Sequence, residues 1–412
     1  MAGACLALVA LTAGSGTTSL GAESGLSIGL GVAYDDNPFE APSEPYFDQF
    51  DLVIIEPEKS PGWFVPFVLS GDYRIPGNKH RFLLDYRLRH HAYGSGNDNA
   101  DETYLTVAPG YRMVTGKSHG RESRFFAVPY ATYNKEIYFD RDTGIGQTIG
   151  FEDASNRYTY LGAGAETGFT SWMSRSIRWE VAGQYEHRNY EDVSSVSSLD
   201  QDRLHVRGGL AFGVYRRLGF SIDYTYRILD YEERPSRDLD GGITADETPV
   251  KYGYHIVGNT LRFDASEQWI FYFDLDYTGR IDRFEGYNDY HMLGGRVRAL
   301  WQRGPWRVRA AVRYWERDYP RAFIFDMEVN PGTGEDNPNK AYDIFNASLL
   351  FEAPLVRSTR IVAAADMDRQ DAADPRYTYD RLRLSVGLKW VFESRGGQDG
   401  DPGGIEDPNP SR

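Results

Sequence analysis

The chain alternates between apolar and polar positions from one end to the other. SGLSIGLGVAY places Leu26, Ile28, Leu30, Val32 and Tyr34 on one side and mostly Gly or Ala on the other. RFLLDYRLRHH sets Phe82, Leu84, Tyr86 and Leu88 against Arg81, Asp85, Arg87 and Arg89. SIRWEVAGQYEHR and PWRVRAAVRYW repeat the pattern, with Ile177, Trp179 and Val181 or Trp306, Val308 and Val312 on the apolar side. RLRLSVGLKWVF does so once more near the end, from Leu382 to Phe392. Alternation with period two predicts strands. The segments run to about 10–14 residues, whereas strands of soluble sheets average about five or six. A strand that crosses a bilayer at a tilt needs about 9–11.

The connections also keep a beat. IPGNK, TSWMS, RRLG, DASEQ, QRGP and EAPLVRS are short. Between them fall GSGNDNADE, FDRDTGIGQTIGFEDASN, YEDVSSVSSLDQD, EERPSRDLDGGITADETP and ERDYPRAFIFDMEVNPGTGEDNPNK, which are long and polar. A soluble sandwich has no reason to maintain that asymmetry, whereas a membrane barrel has short turns on one rim and long loops on the other. The predicted fold class is therefore all-β: a transmembrane antiparallel up-and-down β-barrel of about 16 strands, with short periplasmic turns and long extracellular loops. About seven turns and eight loops follow from that count. The stretch 35–75 is the least regular, and FDLVIIEPEKSPGWFVPFVLSGDYRI is read as one interrupted strand. The expected organisation is a signal peptide over 1–22, a barrel over 23–392 and a disordered, Gly/Pro/Asp-rich tail over 393–412.

Composition sharpens this picture in two places. The chain has 412 residues, a net charge of −15, a mean hydropathy of −0.53 and 29 tyrosines. Such a hydropathy suits a barrel, because outward and inward residues average out along each strand. Near the N-terminus, Cys5 to Ala13 forms a short apolar run followed by small residues, the pattern of a secretory h-region. The single cysteine, Cys5, lies within it, so the expected mature chain has no thiol and no CxxC metal or redox site.

The last strand carries a more specific signal. Ser385, Gly387, Trp390 and Phe392 stand in the order polar, glycine, then two aromatics spaced two apart. This resembles the C-terminal β-signal of Gram-negative outer-membrane β-barrel proteins of the porin-like kind. The barrels of that group usually stop at the final aromatic, and here 20 residues follow it. The resemblance implies the cell outer membrane as location, and lipid, lipopolysaccharide and the barrel-assembly machinery as partners. Self-association as a homo-oligomer is left open.

If the apolar faces meet lipid, the residues between them line a lumen. The predicted pore-lining set is Arg87, Arg89, Asp274, Asp276, Arg296, Arg298, Arg307, Arg309 and Arg313. The last five fall on two successive strands and predict one positive wall, which favours anions. Lumen salt bridging explains the same charges without conduction. The loops hold the acidic excess, for example Asp230, Glu232, Glu233, Asp238, Asp240, Asp246 and Glu247. Clustered carboxylates of that kind suit divalent cations shared with lipopolysaccharide phosphates, though no EF-hand or RTX spacing is present.

Catalysis finds little support. His90, His91 and Ser95 lack the His-x-Ser-Asn-Gly arrangement of outer-membrane phospholipases, and no P-loop, HExxH or dinucleotide fingerprint occurs. No cofactor is expected, and so acidic a chain is a poor nucleic-acid binder. The expected function is passive diffusion of small hydrophilic solutes, with some preference for anions. The alternatives are the barrel of a polysaccharide or surface-protein export system, and a rim-site enzyme.

Overall fold

A computed structural model of the chain describes residues 23–48, 53–75, 77–142, 144–149, 151–194, 196–215, 217–244, 246–324 and 336–393. The expected signal peptide and tail lie outside the described residues, apart from Glu393. Strand β1 (Glu23–Asp35) is followed by a small hairpin of β2 (Tyr46–Asp48) and β3 (Val53–Ile55). Next come β4 (Gly62–Ile75), β5 (His80–Tyr93), β6 (Glu102–Ser118) and β7 (Arg121–Lys135). A second small hairpin, β8 (Thr148–Ile149) and β9 (Glu152–Asp153), precedes β10 (Tyr160–Trp172), β11 (Ile177–Tyr190), β12 (Gln201–Tyr215) and β13 (Leu218–Pro235). The remainder is β14 (Pro249–Asp264), β15 (Trp269–Asp282), β16 (Tyr290–Arg303), β17 (Trp306–Phe323), β18 (Asn339–Val356), β19 (Thr359–Ala372) and β20 (Tyr379–Glu393).

Sixteen of these strands close a barrel in chain order, each antiparallel to its neighbours, with β20 returning to β1. The two small hairpins stay outside it. Region 35–75 contributes one barrel strand, β4, as expected, while Val53–Ile55 belongs to the loop hairpin. Connections 76–79, 119–120, 173–176, 216–217, 265–268, 304–305 and 357–358 form one rim. The other rim carries 36–61, 94–101, 136–159, 191–200, 236–248, 283–289, 324–338 and 373–378. Two of these, 283–289 and 373–378, are scarcely longer than turns, which is why the sequence shows them weakly.

Register explains why the alternation works. Residues paired across strands share a face, so rows can be followed around the wall. Tyr224, Val257, Tyr277 and Leu293 are successive partners on β13 to β16 and all point outward. Leu30, Val206, Leu275, Leu293 and Val386 are each about half exposed, Val386 reaching 58%. A continuous apolar outer surface of this kind is incompatible with water and suited to lipid. Aromatics border it at both ends. Tyr34 and Trp63 meet at 5.3 Å near the long-loop rim, and Trp269 and Trp301 at 6.4 Å near the short-turn rim. The Tyr224 and Tyr277 hydroxyls lie 2.8 Å from His255 and His291 Nδ1, so these rings keep a polar end at the boundary.

Two local features need their particular residues. The β6–β7 turn is His119–Gly120, with φ of 52° and 80°, the primed turn that matches strand twist. At the closing seam Gly31 pairs with Gly387, and a Cβ on either would stand about 2.5 Å from a backbone oxygen of the other strand. Ser385 shares the lumen side with Gly387, whereas Trp390 and Phe392 pair outward with Ile28 and Leu26. No helix among the described residues is long and apolar enough to cross a membrane.

Candidate functional site

The lumen-facing parity of each strand carries the charge. Arg87 and Arg89 on β5, Asp274 and Asp276 on β15, Arg296 and Arg298 on β16, and Arg307, Arg309 and Arg313 on β17 all face inward. The five arginines of β16 and β17 thus stand on the same parity of two paired strands. Much of their charge is matched. The Asp274 side chain, 3% exposed, accepts from Arg296 Nε and from Arg298 Nε and Nη2, each at 2.9 Å. The Thr260 hydroxyl donates at 2.8 Å to Asp274 Oδ1, the oxygen that also accepts from Arg298 Nη2. Glu352, 2% exposed, gathers Lys389 and Arg360 at 3.1 Å and Arg309 at 3.6 Å. Arg313 lies 3.3 Å from the Trp315 ring centroid. Glu352 looked like part of a short turn in the sequence, because the strand that holds it continues to Val356.

Nearer the long-loop rim the lumen wall changes character. Arg227, Tyr254, Arg280 and Tyr290 are successive partners across β13, β14, β15 and β16, so arginine and tyrosine alternate around the wall. Tyr319 extends the row, its ring 5.3 Å from that of Tyr290. Arg280 is stacked between Tyr252 and Tyr290, at 4.5 Å from each centroid, and donates to the Asn288 carbonyl. Arg317 lies over Tyr290 at 5.2 Å and Arg227 over Tyr254 at 5.7 Å. Tyr252, Tyr254 and Tyr290 are buried with Leu229 and Val250 beneath the arginines. Among the described residues, Arg227, Arg280 and Arg317 form no ion pair; their contacts are with rings, a carbonyl and the Met292 sulfur. Cation–π contact, worth about 2 kcal/mol when desolvated, holds such side chains without cancelling their charge. Sequence reading counts these tyrosines only as part of the 29 in the chain; the strand parity puts them inside.

The first long loop folds into the mouth. Phe39, 2% exposed, packs on the lumen-facing Ala33, Phe64 and Tyr93 and on Ala100 and Phe139. Below it the Arg381 guanidinium donates to Asp35 at 2.5 Å and to Glu40 at 3.4 Å, all three buried. The Tyr93 hydroxyl donates to Asp35 at 2.7 Å. Arg141, from the loop 136–159, reaches Glu40 at 3.4 Å. The Asn37 side-chain amide donates to the carbonyls of Ala41 and Asp380 at 2.9 Å and accepts from the Ala41 N–H at 2.8 Å. The stretch DDNPFEA thus forms an inward strap over the β20–β1–β4–β5 arc. A buried ion pair of this kind resists loss of either partner, at about 3–5 kcal/mol.

The rim residues tested for catalysis do not converge. His90 faces outward, its Nδ1 2.9 Å from the Thr103 hydroxyl, whereas His91 faces the lumen 3.7 Å from Glu102. Ser95 is exposed on the loop beyond them. Among the described residues no three His, Cys, Asp or Glu side chains are grouped to hold a metal ion.

A closed barrel satisfies every backbone group in a medium without water. With an apolar outer belt bordered by aromatics and a charged interior, it defines an outer-membrane β-barrel protein, and the protein is one, located in the outer membrane. No family model matches the chain, and no curated protein matches it in sequence. Solved structures of similar shape include the outer-membrane channel DcaP of Acinetobacter baumannii, at 11% identity and a TM-score of 0.46, covering 91% of this chain and 99% of that one. OccAB3 of Acinetobacter baumannii follows at 10% and 0.44, covering 90% and 99%. An anion-selective porin from Comamonas acidovorans stands at 10% and 0.42, covering 90% and 99%. At this distance these likenesses carry no argument, and the fold rests on the strand register.

Proposed function

We propose that the protein is a porin-like channel for passive diffusion of small hydrophilic solutes, with a mild preference for anions. The supporting observation is the contrast along the lumen. Toward the short-turn rim, Asp274 and Glu352 match the nearby arginines, while Arg227, Arg280 and Arg317 above them have no carboxylate partner among the described residues. Fixed charge in a low-dielectric wall raises the local concentration of the opposite ion. Screening confines this to about one Debye length, roughly 10 Å at 0.1 M salt. The acidic loops oppose it at the mouth. Insertion through the barrel-assembly machinery would use the outward Trp390 and Phe392 of the closing strand, and lipopolysaccharide would surround the long-loop rim.

Planar-bilayer recording tests this reading. The purified barrel should conduct, and in a salt gradient its reversal potential should show anion preference in dilute KCl that fades toward about 1 M. Replacing Arg298, Arg307 and Arg309 together by Gln should move the reversal potential toward cations without abolishing conductance, because Asp274 and Glu352 then lose part of their neutralisation. Absence of conductance from the folded barrel in any salt overturns the channel.

A further inference from the structure

We infer that the Arg–Tyr row near the long-loop rim is a binding site for an acidic, hydroxylated chain, namely an oligosaccharide bearing carboxylates; this rests on the channel reading. Three features of the row select that class. The first is the spacing of its charges. Arg227, Arg280 and Arg317 stand on β13, β15 and β17, with one strand between each. Neighbouring strands are about 4.8 Å apart, so the guanidinium roots recur at roughly 10 Å. One small anion meets one arginine, whereas a chain with recurring carboxylates meets several at once.

The second feature is which parts of the arginines remain available. Tyr252 and Tyr290 occupy both faces of the Arg280 guanidinium, and Tyr254 and Tyr290 lie against Arg227 and Arg317. A planar aromatic acid therefore finds Arg280 already flanked by rings, and the rings of Tyr252, Tyr254 and Tyr290 are themselves buried. Asn288 takes the Nε and Nη2 edge of Arg280, and Nε of Arg227 and of Arg317 is buried, so what remains are terminal in-plane N–H groups, which suit carboxylate oxygens, and the half-buried Tyr319 and Tyr342 beside them. A phenol can exchange hydrogen bonds with sugar hydroxyls.

The third feature is room. Half the barrel away from β13, the lumen side of the β20–β1 seam carries Gly29, Gly31, Ala33, Ser385 and Gly387. At the long-loop rim itself the strap covers Ala33 and the Arg381–Asp35 anchor on that seam, so the room facing the row is the part below the strap, where Gly29, Gly31 and Gly387 stand. The charges are also held ready: Arg280 is fixed by its carbonyl bond and two rings before any ligand arrives, which lowers the ordering cost of binding.

The test is block of single-channel current. Tri-galacturonate, a malto-oligosaccharide of equal length and benzoate are added separately on the long-loop side of the inserted wild-type protein in 0.1 M KCl. Tri-galacturonate should interrupt the current, and the other two at the same concentration should not. Arg227→Gln and Arg317→Gln, checked as folded by heat-modifiable gel mobility, should each raise the half-blocking concentration by about tenfold, the loss expected for one charge-assisted hydrogen bond. Should either variant fail to fold, the wild type alone decides, since block through charge must weaken steeply between 0.1 M and 1 M KCl. Equal block by the neutral oligosaccharide or by benzoate, salt-independent block, or no block of a conducting channel overturns the site. A barrel that does not conduct at all overturns the channel instead.

Discussion

Leu210 and Gly209 are neighbours in β12 with opposite surroundings. Leu210 pairs with Trp179 and Ile222 on the outer face, while Gly209 pairs with Glu180 and Asp223 on the lumen face. An arginine at 210 would have to sit in lipid, at a cost of roughly 2–4 kcal/mol near the midplane. At 209 it would find two acids and water, and a Cβ there meets nothing closer than 3.6 Å. Leu210→Arg should therefore sharply reduce the heat-modifiable, folded fraction, and Gly209→Arg should leave it near wild type. Equal loss in the two variants would reverse the assignment of faces.

At the scale of elements, the strap at 36–43 stands in the mouth of the barrel. Its fold comes from side chains that bond to nearby backbone, as Asn37 does to Ala41, and from long-range anchors, Arg381 to Asp35 and Glu40 and Asn37 to the Asp380 carbonyl. Phe39 fills lumen space that no barrel strand fills. Phe39→Ala removes the ring while keeping the anchor, so single-channel conductance should rise and the folded fraction should stay high. Unchanged conductance would mean that ions pass elsewhere in the cross-section. The QRGP turn at the other rim is open by contrast: it closes with Gly304 at a φ of 57°, and a Cβ there would meet open space.

For the whole molecule, the asymmetry of the rims sets the orientation in the membrane. Barrels of this kind keep short turns in the periplasm and long loops outside. A cysteine at Gly242 should label on intact cells with a membrane-impermeant maleimide, and one at Gly304 only after the outer membrane is permeabilised. Labelling at Gly304 alone would invert the barrel. With that orientation the strap and the Arg–Tyr row lie on the outer side, and the matched Asp274 and Glu352 clusters toward the periplasm.

The sequence by itself determined the strands, their faces and their approximate number, because a two-residue period leaves only one way to put Leu382, Leu384, Val386 and Leu388 on the same side. The lumen position of Arg296, Arg298, Arg307, Arg309 and Arg313 follows from the same parity. It did not determine which of those charges are matched. Asp274 meets Arg298 across 24 residues, and Glu352 meets Lys389 across 37, through a register that exists only once neighbouring strands are paired. Nor did it reveal the strap, whose anchor joins Asp35 to Arg381 across 346 residues. Those two positions become neighbours because the first and last strands close the barrel, and a contact made by closure leaves no local pattern in the chain.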